Sequence, residues 1–83
     1  MSIGYDAIQQ SLDDGTADEI VQVTGAIAVE TLLKEQDVER TWKELDDEER
    51  TQLREMMQCY ADQKGFTLTV DDESCIVSSD PNE

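Results

Sequence analysis

Apolar positions along residues 53–60 keep the period of a helix: Leu53, Met56, Met57 and Tyr60 fall at i, i+3, i+4 and i+7, on one face of a 3.6-residue repeat. Both ends of this segment are also marked. Asp46 can serve as the N-cap while Glu49, three residues on, reaches back to it. Lys64 and Gly65 supply a cation for the last turn and a residue suited to a left-handed cap. The pattern predicts a helix from the Asp46 cap to Lys64. After Gly65 the period drops to two. Phe66, Leu68 and Val70 alternate with Thr67 and Thr69, DDES makes a four-residue loop, and CIVSS returns with Cys75 and Val77 on the same face if Val70 stands opposite Cys75. A β-hairpin follows.

Towards the N-terminus, Ile8 and Leu12 lie four apart and predict a short helix over Tyr5–Asp13, closed by Gly15. TADE, residues 16–19, has the form of a capping box, with Thr16 as cap and Glu19 reaching back. The stretch IVQVTGAIAVETLLKEQ mixes β-branched residues with Gly25 and reads in two ways. The favoured reading is one buried helix over 17–35; the alternative is a strand over 19–24 and a helix beginning near Ala26. Asp37 is placed to cap a further short helix carrying Val38, Trp42 and Leu45 at i, i+4 and i+7. The expected fold is α+β, mainly helical, with three to four helices packed on a C-terminal β-hairpin and a third strand at 19–24 as the alternative. Residues 1–79 should form a single small acidic domain, and 80–83 a frayed tail.

Length bears on that fold. Eighty-three residues bury one small core, with candidates running from Ile3 to Val77 and including Val23. Charge bears on function more than on fold. The chain has 21 acids, 6 bases and no histidine, a formal charge of −15, and residues 1–33 and 65–83 contain acids without a single base. Such a field opposes binding to nucleic acid or anionic membrane and speeds encounter with basic surfaces. Neither a membrane-length apolar run nor a signal-peptide pattern occurs, so a cytoplasmic protein is expected, with Cys59 and Cys75 as reduced thiols behaving as small hydrophobes.

Candidate chemistry is sparse. Without histidine there is no Ser-His or Cys-His nucleophile pair, and the adjacent pairs Asp13-Asp14, Asp46-Asp47 and Asp71-Asp72 do not converge on one atom of a substrate. DDES and DDGTADE cluster oxygen ligands without the spacing that wraps calcium. No enzyme activity, cofactor or metal is expected. WKELDDEER, residues 42–50, resembles the W-x-x-L-[S/D]-x-E-E-[K/R] junction between two helices of HMG-box proteins, a likeness of nine residues. The resemblance implies Trp42 and Leu45 packed in the angle between two helices, with Glu49 in the capping turn. HMG boxes bind DNA through abundant lysine and arginine, which this chain lacks, so only the junction geometry carries over.

The expected function is that of a small acidic inhibitor or regulator of a basic, nucleic-acid-handling protein, a nucleic-acid mimic of the phage anti-defence type. Glu35, Glu39, Glu44 and Glu48 step by four or five residues, roughly 6–8 Å along a helix, the scale on which phosphates repeat. The expected contact face comprises Glu35, Glu39, Glu44, Asp46, Asp47, Glu48 and Glu49, with Asp71, Asp72 and Glu73 as a second patch. Three local pairs, Glu30-Lys34, Glu39-Lys43 and Asp46-Arg50, are expected to offset some repulsion. The alternatives are an interaction or dimerisation module using the apolar face around Met56, Met57 and Tyr60, and an ordinary domain of a halophile.

Overall fold

A computed structural model describes residues 4–79; Ile3 and the tail 80–83 lie outside them. Helix α1 spans Tyr5–Asp13 and buries Ile8 and Leu12, as their spacing predicts. Helix α2 spans Thr16–Thr24. Its cap is not Thr16. Gly15 stands before it at φ 95°, and the Asp14 carboxylate accepts both the Thr16 N–H at 2.9 Å and the Thr16 hydroxyl at 2.8 Å. Asp14 thereby satisfies a free N–H of the first turn, the service expected of Thr16.

The single helix over 17–35 does not form. Gly25 ends α2 at φ 86°, a conformation that costs a residue with a Cβ about 1–2 kcal/mol. Ala26–Ala28 then form strand β1, and Val29–Lys34 a short helix α3. The third strand therefore exists, but after Gly25 and not over 19–24, where Ile20, Val21 and Val23 stay helical despite their branching.

Beyond α3 the expected helix capped by Asp37 is also absent. Asp37 sits at φ 61°, its N–H bonds Lys34 O at 3.0 Å, and the N–H of Val38 bonds Leu33 O at 2.9 Å. This is a Schellman closure with aspartate in the left-handed position usually taken by glycine, and Leu33 and Val38, its customary apolar pair, are both buried. Asp37 ends one helix and does not start another. Residues 38–41 run without regular structure into a 3₁₀ turn, Trp42–Glu44, so the two-helix angle implied by the HMG-box resemblance has only its second helix.

Helix α4 spans Asp47–Lys64 and matches its sequence signals at both ends. Asp46 Oδ1 accepts the Glu49 N–H at 2.8 Å, and Glu49 accepts the Asp46 N–H at 3.1 Å. Gly65 closes it at φ 75°, with the Phe66 N–H bonded to Ala61 O. Strands β2, Thr67–Val70, and β3, Cys75–Ser78, pair antiparallel with Val70 opposite Cys75, the expected register. β1 joins the other side of β3 to give the order β1-β3-β2. The hairpin alone would be marginal in water; a third strand and α4 complete it.

Ile27, Val77 and Leu68 form a row across the sheet on the face covered by the helices. Trp42, Leu45, Leu53 and Met57 join the same cluster. Three described core candidates fall outside it: Val23 is 85% exposed, Val70 38%, and Ile76 is half-buried. The thiols divide as well, Cys75 buried and Cys59 exposed. No helix among the described residues is long and apolar enough to cross a membrane.

Candidate acidic interface

Tryptophan ties one edge of the first predicted acidic patch to the second. Trp42 is buried, yet an indole N–H needs an acceptor once it leaves water. The Asp71 carbonyl accepts it at 3.0 Å, and the Trp42 backbone N–H is taken by Glu30 at 3.0 Å. These two bonds tie the turn before α4 to the hairpin tip and to α3. Between the first turns of α4 and the tip lies a cleft of about 330 Å³ lined by Trp42, Asp47, Arg50, Arg54, Asp71 and Asp72. It unites one residue of the first predicted patch with two of the second.

The carboxylates on this surface divide by what holds them. Asp46 and Glu49 form the α4 cap, and Glu49 is also gripped by Arg40 at 2.9 and 3.4 Å. Glu44 caps the 3₁₀ turn through the Thr41 N–H at 2.9 Å. Asp47 pairs with Arg50 at 3.1 Å, so the expected Asp46-Arg50 pair is replaced by one three residues apart. Asp71 accepts the N–H groups of Glu73 and Ser74, which hold its carboxyl below the ordinary range and fold the hairpin loop. Glu35, Glu39, Glu48, Asp72 and Glu73 are exposed, and their side chains take no hydrogen bond or ion pair among the described residues.

The helical ladder of carboxylates does not survive the fold. Glu35 lies in the turn after α3, Glu39 in the irregular stretch, Glu44 in the 3₁₀ turn and Glu48 on α4, so no common helix spaces them. The expected pairs Glu30-Lys34 and Glu39-Lys43 are likewise absent from the ion pairs of the described residues, and Glu30 serves Trp42 instead. The apolar face assigned to docking is inside the molecule: Met56, Met57 and Tyr60 are all buried.

Other contacts had no local signal. Asp18 accepts the Tyr60 hydroxyl and pairs with Lys64 at 3.0 Å, which lowers its own pKa, while burial and Asp18 together raise that of Tyr60. The partners are 42 residues apart in the chain, so only the fold reveals them. Among the described residues no three histidine, cysteine, aspartate or glutamate side chains are placed to hold a metal ion. No protein-family model, curated protein or solved structure matches this chain.

Proposed function

We propose that this chain is a small acidic, non-enzymatic protein that binds a basic, nucleic-acid-handling protein and inhibits or regulates it. Its carboxylates stand where that partner otherwise receives phosphates. The observation that carries the reading is the set Glu35, Glu39, Glu48, Asp72 and Glu73, exposed carboxylates that neither cap a helix nor pair with a base. Capping accounts for Asp46 and Glu49 and an ion pair for Asp47; it leaves these five without a structural task. With a chain charge of −15, they add to a field that attracts cationic surfaces over roughly a Debye length, about 8 Å at physiological salt. The Trp42 bond to Asp71 fixes the hairpin tip that carries Asp72 and Glu73, so less ordering entropy is lost there when a partner arrives.

The test is capture from a lysate of the source organism by the immobilised chain at about 50 and about 200 mM salt. The expected result is retention of nucleic-acid-binding proteins at low salt, released at high salt and by added DNA. Retention indifferent to both salt and DNA contradicts the proposal.

A further inference from the structure

Residues in an antiparallel strand alternate between those whose backbone groups face the neighbouring strand and those whose groups face away. The Asp71 N–H bonded to Ser74 O at 2.9 Å fixes that alternation in the hairpin. Thr69 and Thr67 bond Ile76 and Ser78, so the N–H and C=O groups of Leu68 and Val70 point away from β3. β2 is an outer strand of the sheet, and among the described residues no backbone group covers that side. The strand TLTV has neither proline nor lysine, the usual guards of an exposed edge, and it leaves Val70 exposed and Leu68 half-buried. The opposite edge is blunted, since β1 has three residues and runs directly into α3.

Charge narrows the occupant. β2 is uncharged, and beside Leu68 and Val70 α4 presents Arg54, Glu55 and Gln58, one charge of each sign in a chain of −15. Arg54 pairs with no carboxylate among the described residues. A strip in which Arg54 and Glu55 balance is complementary to itself under a two-fold, with the carboxylates Asp71 and Asp72 confined to the end of the strand beyond Val70.

We propose that the free edge of β2 pairs with the same edge of a second copy, giving an antiparallel homodimer with its two-fold axis at Thr69. That register sets Leu68 opposite Val70 of the second copy, so the outward donors and acceptors of each meet their complements. It lays the two α4 helices antiparallel on one face of a continuous sheet, with Arg54 turned towards Glu55 of the second copy. It also sends the acidic tips, Asp71–Glu73, to opposite ends of the seam, where a parallel pairing would set them side by side.

Sedimentation of the full chain over a concentration series tests the dimer. The dimer should tighten several-fold between about 50 and 500 mM salt, because salt screens the repulsion between two acidic copies. Binding to a basic partner has the opposite salt dependence, so the two proposals fail separately. Val70→Pro removes an outward donor from each copy without touching the inner ladder, and should keep the circular dichroism spectrum while weakening the dimer at least about tenfold. Should that variant unfold, a covalent test decides. In a Cys59→Ser background, two copies of T69C and oxidised glutathione should yield one interchain disulfide and two reduced glutathiones, because the facing Cα atoms lie about 4.5 Å apart. V23C, on the exposed side of α2, is the control. A monomer at every concentration up to about 1 mM, or T69C joining no faster than V23C, overturns the proposal.

Discussion

α4 closes its own ends, whereas the segment 35–45 that precedes it is held from outside. The helix carries Asp46 and Glu49 at one end and Gly65 at the other, and each acts on groups a few residues away. The segment has local closures at the Asp37 turn and the Thr41–Glu44 capping box, but what ties it to the rest of the fold is distant: Glu30 on the Trp42 N–H, Asp71 on the Trp42 indole, and Glu49 on Arg40. Neighbouring stretches of one small domain can thus differ in how far the energy holding them reaches along the chain. A fault in a cap remains local; a fault at Trp42 releases α3, the segment and the hairpin tip from one another.

Trp42→Ala should accordingly have the largest effect. It removes a buried aromatic side chain and its bond to Asp71, an expected loss of about 3–5 kcal/mol read from urea unfolding. Asp46→Ala, confined to the α4 cap, should cost about 1 kcal/mol by the same measurement. A cost at Asp46 equal to that at Trp42 would erase the contrast. Asp37→Gly should have the opposite sign, stabilising by roughly 0.5–1 kcal/mol, since it relieves a left-handed residue and removes a negative charge from the C-terminal end of α3.

Acid and alkali act on groups that lie outside these two stretches. Asp14, held down chiefly by the Thr16 N–H, Asp18 by the Tyr60 hydroxyl and Lys64, and Asp71 by the N–H groups of Glu73 and Ser74 all have lowered pKa values. Their contribution is complete above about pH 4 and is lost as pH falls through the lowered values. Cys75 behaves in the reverse sense: burial raises it from 9.0 to about 11, so its contribution is present below pH 9 and lost as pH rises through about 11. Urea midpoints should fall on both sides of neutrality. A midpoint that is flat from pH 7 to 11 would contradict the burial of Cys75.

The same difference in reach explains what the sequence discloses. The α4 cap, Gly65 and the Val70-Cys75 register are short-range patterns, and the fold follows them. Gly25 was visible as an interruption, but that it ends a helix and begins a strand depends on β3, some 50 residues away, offering Val77 to Ile27. Asp37 differs from its expected role because aspartate can cap a helix start or take the left-handed position at a helix end, and the burial of Leu33 and Val38 with the Val38 N–H bond to Leu33 O goes with the second. Of the candidate face, the carboxylates with local tasks at Asp46 and Glu49 were legible as caps. That Glu30 is engaged by Trp42 while Glu35, Glu39, Glu48, Asp72 and Glu73 stay free follows from packing and leaves no trace in spacing.

Carboxylates that serve a partner and not the fold should govern affinity while leaving stability untouched. This is tested most directly by the salt dependence of affinity for the captured protein, comparing the native chain with one carrying Gln or Asn at all five positions. Native binding should fall steeply between about 50 and 200 mM salt, and the variant should fold as well but bind far more weakly and with a shallower salt slope. Equal affinity and equal slope for the two chains would contradict it.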